Sequence, residues 1–178
     1  MKYKEELNRS MEWLSTKEDV IFLGQACRVG GHAISSTLEK VPLEKRVELP
    51  VFEETQLGMS TGMALAGYVP VTLYPRFDFL ILACNQLVNH LDKIREMSEY
   101  EMQPRVIIRV SVGAKNPMDA GPQHTQDHTE AIKKMLTDVN VVELREAEDI
   151  FPAFKEAYER EDSKSTLLVE YGEYYATK

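Results

Sequence analysis

Short apolar runs alternate with segments of helical periodicity along the whole chain, and this alternation restricts the possible folds more than any other feature. Val-Ile-Phe-Leu-Gly at residues 20–24, Val-Pro-Val-Thr-Leu at 69–73 and Arg-Val-Ile-Ile-Arg-Val-Ser-Val at 105–112 read as strands, with further strands at 140–144 and 166–170 and a weaker one at 46–49. The runs are apolar on both faces, which marks strands buried on both sides. Between them, helical spacing predicts helices over residues 3–14, 32–39, 54–66, 77–98, 126–136 and 148–161, the third ending at Gly67 as a C-cap. Residues 113–122, rich in Gly, Pro and Asn, read as a loop. The expected fold class is therefore α/β: a three-layer αβα arrangement around a mostly parallel sheet of about six strands. No linker, repeat or low-complexity segment divides the sequence, so residues 1–178 are expected to form a single domain.

Composition narrows the function classes. A formal net charge of −8, with Lys and Arg scattered, argues against nucleic-acid binding through phosphate neutralisation. The two cysteines, Cys27 and Cys84, lie far apart in apolar surroundings, so neither a disulfide framework nor a zinc site is expected. No apolar run has the length of a membrane span and the N-terminus lacks a signal-peptide core, so the expected location is cytoplasmic.

In open parallel sheets ligands bind beyond the carboxyl ends of the strands. Three segments leave a predicted strand and enter a predicted helix, and folding would bring them to one edge: Leu49-Pro50-Val51-Phe52-Glu53-Glu54, Leu73-Tyr74-Pro75-Arg76-Phe77-Asp78-Phe79, and residues 119–128. Glu53 and Glu54 open a helix, where acids are favoured by the helix dipole whatever else they do. His124 and His128 stand four apart, but no third ligand accompanies them and no metal site is expected. His32, beside Gly30-Gly31, reads as a loop histidine, and that pair lacks the further glycine and lysine of a phosphate-binding loop.

The surroundings of Glu53 carry a resemblance. Pro50-Val51-Phe52-Glu53 is followed by Gly58 and Gly62, then by Phe77-Asp78-Phe79 and Asn85-Gln86, then by Gly121-Pro122-Gln123-His124-Thr125-Gln126. In order and spacing these segments resemble the pyrimidine-binding domain of transketolase-like, thiamine-diphosphate-dependent enzymes, most closely the N-terminal domain of the 2-oxo-acid dehydrogenase E1 beta subunit. The resemblance implies that Glu53 is the carboxylate that meets the cofactor's aminopyrimidine ring, with Val51 and Phe79 also binding it. Phe79 would stack on the ring, and His124 would face the substrate as a catalytic residue. Phe77 is as well explained as a core aromatic. Arg76 and Leu82 occupy positions that vary in the family, which leaves the substrate undetermined.

The chemistry accounts for the residue types. Thiamine diphosphate supplies its own base, the exocyclic nitrogen of its pyrimidine. A carboxyl group held against the ring nitrogen switches that base on, which is an acid/base role for Glu53. A dry setting suits such a group, and Val51, Phe52 and Leu57 are the apolar neighbours expected to provide it.

The family also uses a domain that binds Mg²⁺ and the diphosphate, marked by Gly-Asp-Gly, and this sequence has no Gly-Asp-Gly. The resemblance therefore implies no diphosphate-binding domain and no C-terminal transketolase domain here. It implies a diphosphate-binding, alpha-like partner subunit carrying Mg²⁺, assembled as an alpha2beta2 heterotetramer, and a small 2-oxo acid or ketose as substrate. The expectation is a compact split enzyme rather than a piece of a longer polypeptide, with Tyr171, Tyr174 and Tyr175 as candidate subunit contacts. The alternative is a non-catalytic assembly or regulatory module that retains the fold.

Overall fold

Strand β4 (Ile107–Val112) illustrates how this sequence builds a sheet covered on both sides. Ile107 packs in one apolar cluster with Met11, Phe154 and Leu168, whereas Ile108 and Val110 pack in a second with Leu57, Leu87 and Ile132. The computed structural model describes residues 2–116 and 118–178, and all pairings in its six-stranded sheet are parallel. The strands are β1 (Val20–Gly24), β2 (Arg46–Glu48), β3 (Val69–Tyr74), β4, β5 (Asn140–Glu143) and β6 (Thr166–Tyr171), in the spatial order β2-β1-β3-β4-β6-β5. Helices α1 (Tyr3–Ser15) and α6 (Ala147–Glu159) lie over the first cluster, and α2 (Glu53–Leu65) and α5 (Thr129–Met135) contribute to the second. The expected three-layer architecture is thus present, with every strand parallel.

The chain runs outward from β1 to β2, and then α2 crosses back over β1 to reach β3. That reversal puts the topological switch point at the carboxyl ends of β1 and β3, the place where doubly wound sheets bind ligands.

The expected helix over residues 77–98 is instead divided among α3 (Phe77–Leu80), a 3₁₀ turn at Ile81–Ala83, a π-helical stretch at Asn85–Leu91 and α4 (Ile94–Met97). No glycine or proline interrupts this segment. The break accompanies the inward turn of Asp92, 1% exposed, whose carboxylate accepts backbone N–H bonds from Thr137, Asp138 and Val139 at 2.8–3.0 Å. The expected helix at 32–39 shrinks to a 3₁₀ turn, Ser35–Leu38, because the His32 ring captures its start: Nε2 meets the Gln25 carbonyl at 2.9 Å and Nδ1 accepts the Ser35 N–H at 3.1 Å. Met1 and Pro117, which fall at the start of the chain and inside the expected 113–122 loop, lie outside the described residues.

A short helix, α7 (Tyr174–Thr177), was not expected from the sequence. Within the chain, Tyr174 and Tyr175 pack their rings on Tyr3 at 5.5 and 5.8 Å and Tyr171 packs on Tyr174 at 5.3 Å. Beneath them, Arg109 of β4 and Glu170 of β6 form a fully buried ion pair, with Nε–Oε1 at 2.6 Å and the second nitrogen–oxygen pair at 3.0 Å. Thr37 Oγ1 accepts a further Arg109 N–H at 3.1 Å, and the Tyr175 hydroxyl donates to Glu170.

Candidate active site

Glu53 is the first residue of α2, at the carboxyl edge of the sheet, and is only 6% exposed. A carboxylate at this position gains from the positive end of the helix dipole. Among the described residues no hydrogen-bond donor reaches its carboxylate oxygens, although its backbone carbonyl accepts the Tyr74 hydroxyl at 3.4 Å. Burial, reinforced by the charge of Glu53, raises the pKa of that hydroxyl and keeps it protonated. One turn further on, Gln56 anchors α2 to β3 by donating to Thr72 Oγ1 at 2.8 Å and to the Leu73 carbonyl at 2.9 Å. Sequence reasoning missed Gln56, whose partners become visible only once α2 is laid against β3.

The setting of Glu53 is not the one expected on every side. Leu57 is fully buried and Phe52 half-buried, but Val51 is 63% exposed, so within this chain Val51 does not dry the carboxylate. Glu54 is exposed and accepts Asn85 Nδ2 at 3.1 Å, a contact between α2 and the π-helical stretch.

The other two loops converge on the same edge. Phe77 is fully buried and belongs to the core, whereas Phe79 is half-buried and meets the His124 ring edge-on at 5.5 Å. His124 and His128 do not share a helix, because α5 begins only at Thr129, where Asp127 accepts the backbone N–H at 2.9 Å. His124 sits in a turn closed by its own N–H on the Gly121 carbonyl at 3.0 Å, and Gly121 adopts φ +88°, a conformation that favours glycine. Gly113 makes the close approach possible: a Cβ there would stand 1.8 Å from the His124 carbonyl oxygen.

His128 packs edge-on against Phe77 at 5.6 Å, with its Nε2 3.9 Å from Asp78 Oδ1. His32 is spent on its own loop, as the sequence suggested, and burial lowers its pKa, which favours the neutral ring that its two contacts require. Among the described residues no group of three His, Cys, Asp or Glu side chains could hold a metal ion, and no helix is long and apolar enough to cross a membrane.

This edge therefore joins a buried carboxylate without a donor, a half-buried aromatic and a histidine in edge contact with it. The class so defined is a doubly wound α/β domain with a glutamate at the carboxyl edge of its sheet. The chain belongs to the transketolase pyrimidine-binding domain family, whose model matches residues 4–175. Its curated relatives include the mitochondrial pyruvate dehydrogenase E1 component subunit beta of Saccharomyces cerevisiae, 30% identical over 131 residues, covering 71% of this chain and 35% of the relative. That of Rattus norvegicus is 26% identical over 188 residues, covering 93% of this chain and 52% of the relative. The chain thus spans about a third to a half of the length of these relatives. Among solved structures, a split-gene transketolase described as an inactive beta4 tetramer shares the fold, with TM-score 0.62 at 13% identity over 95% of this chain and 51% of that one.

Proposed function

We propose that this chain is the pyrimidine-domain subunit of a split thiamine-diphosphate-dependent enzyme acting on a 2-oxo acid or a ketose. The observation that carries the proposal is Glu53, a carboxylate 6% exposed at the ligand-binding edge that no described residue supplies with a hydrogen bond. Its oxygens are not among the buried unpartnered atoms of the described residues, so they reach the surface at this edge, where a group from outside the chain can meet them. When bound, the cofactor supplies the nucleophilic carbon that attacks the substrate carbonyl. In this reading Glu53 holds a proton at the pyrimidine ring nitrogen and returns it in each turnover. Phe79 packs against the ring, Val51 covers its rim, and His124 holds the substrate's carboxylate or exchanges a proton with it.

A diphosphate-binding, alpha-like subunit completes the site and carries the Mg²⁺ in this proposal, in an alpha2beta2 assembly within the cytoplasm. Two features support a partner on this edge: Val51 is 63% exposed beside the carboxylate, and Ile81 and Leu82, just after Phe79, are 45% and 62% exposed. Large apolar side chains gathered at one edge are the usual mark of an interaction site.

The test is exchange of the cofactor's thiazolium proton in the assembled complex, followed by NMR after quenching. Glu53→Gln is expected to slow exchange by about 100-fold or more, within the usual range for removing an acid/base group. Equal rates in variant and wild type would sink the catalytic reading and leave an assembly or regulatory role for the domain.

A further inference from the structure

Three consecutive side chains at the start of α3 face three side chains of the segment leading into α5, in reverse order. Phe77 meets His128, Asp78 meets Gln126, and Phe79 meets His124, the two ring pairs at 5.6 and 5.5 Å. Only the middle pair is joined by a hydrogen bond, Gln126 Nε2 donating to Asp78 Oδ1 at 2.6 Å. The Asp78 side chain is 7% exposed, and its second oxygen is buried without a partner among the described residues. Aromatic edge contacts tolerate sliding, whereas one short charge-assisted hydrogen bond to a buried carboxylate does not. The register of the two segments, and with it the place of His124 beside Phe79, is therefore set at Asp78.

Gly113 fixes the other side of His124. Its missing Cβ lets the His124 carbonyl approach the end of β4, and the Arg76 side chain closes on the same glycine, 3.2 Å from where a Cβ would stand. The backbone of His124 is thus held from β4, but its ring direction depends on how the next two residues are tied down. Thr125 is tied back within the turn, its hydroxyl donating to the Gly121 carbonyl at 3.2 Å, whereas Gln126 reaches Asp78, so Gln126 carries the tie to α3.

We propose that Asp78 is a positioning residue for His124, acting through Gln126. The inference rests on the proposed role of His124 for its consequence in turnover, but not for its geometry. Placement errors of about 1 Å remote from the reacting atoms can cost about 100-fold in rate.

The test is a swap of donor and acceptor in the full chain. Gln126→Glu sets a second carboxylate against Asp78. Asp78→Asn combined with Gln126→Glu restores a donor–acceptor pair with its direction reversed. The readout is the ring-proton chemical shift of His124, which the Phe79 ring perturbs, each of the four histidines being assigned by single substitution. Gln126→Glu is expected to move the His124 shift by a few tenths of a ppm, with the thermal midpoint nearly unchanged, and the double variant to bring it back. In the assembled complex, kcat is expected to fall about 100-fold with KM little changed, and to recover in the double variant.

A His124 shift that stays at the wild-type value in Gln126→Glu, or that the double variant does not restore, overturns the proposal. Gln126→Ala deletes the donor at an exposed position without adding a charge; it is expected to move the His124 shift as Gln126→Glu does, and an unchanged shift there overturns the proposal even where Gln126→Glu fails to fold. The chemical shift is read without cofactor. Normal proton exchange in Glu53→Gln with a displaced His124 in Gln126→Glu would therefore discard the catalytic reading and retain the register, and the opposite pair of results would do the reverse.

Discussion

Glu170 and Glu53 are both buried glutamates, and the chain treats them in opposite ways. Glu170 lies under α1 and α7 with both oxygens on the Arg109 guanidinium and the Tyr175 hydroxyl added to one of them. Glu53 lies at the carboxyl edge of the same sheet, and no described residue donates to its carboxylate. Burying a charge is costly in either place. At Glu170 the chain meets that cost internally, so the group reads as structure. At Glu53 no described residue answers the charge and the oxygens stay open to the surface and to an outside group, so the group reads as function. Three of the six buried, unpartnered side-chain atoms among the described residues, Arg76 Nε, Asp78 Oδ2 and His128 Nε2, lie in the two loops at the same edge.

The sharpest way to break this comparison is to unpair Glu170. Arg109→Met strands a buried carboxylate, and removing one partner of a buried ion pair costs about 3–5 kcal/mol. Urea denaturation is expected to show a loss of that size. Adding Glu170→Leu removes the stranded charge and is expected to recover most of it, because a well-packed apolar pair often matches a buried ion pair. If Arg109→Met were as stable as the wild type, Glu170 would belong with Glu53, and the division between structural and functional carboxylates would fail.

Asp92 offers a second test, through pH. Burial alone would raise its pKa, but the Lys93 ammonium and the N–H groups of Val139, Asp138 and Thr137 outweigh it and hold the carboxyl at about 2. Its folded value lies below the unfolded one of about 3.9, so the group stabilises the fold above that pH and loses its contribution as pH falls toward about 2. The contribution is about 2 kcal/mol at neutral pH. In Asp92→Asn, unfolding free energy is expected to drop by about that much at pH 7 and to depend less on pH between about 4 and 2. An unchanged pH slope would mean that the hydrogen bonds from Lys93 and residues 137–139 do not select the ionised form.

How much of this was legible in the sequence follows from the same contrast. The strands were readable because they are apolar on both faces, as in Ile107, Ile108 and Val110. The three edge loops followed from the alternation, and Glu53 from its place before a helix together with the family spacing of Gly58 and Gly62. The Arg109–Glu170 pair was not readable. Its members sit 61 residues apart on β4 and β6, and nothing local shows that these strands are neighbours with β5 outside them. The break in the 77–98 helix was hidden for a similar reason. Every residue there suits a helix, and the competing partner of Asp92 is the backbone of residues 137–139, about 45 positions away. His124 could be picked out, but its turn could not, since Gly113 shows its role only when the His124 carbonyl is set against it.

The smallest expected effect bears most directly on Glu53. If its carboxylate is held ready for an outside group, nothing in the chain depends on its charge for folding. Glu53→Gln is then expected to leave the unfolding free energy within about 0.5 kcal/mol of the wild type, since substitutions that break no interaction fall in that range. Some loss of the helix-dipole contribution, a few tenths of a kcal/mol, is too small to change the result. A loss of about 2 kcal/mol or more in urea denaturation would mean that Glu53 is tied into the fold as Glu170 is. Its burial would then be explained without a ligand, and the strongest reason for placing a cofactor at this edge would be gone.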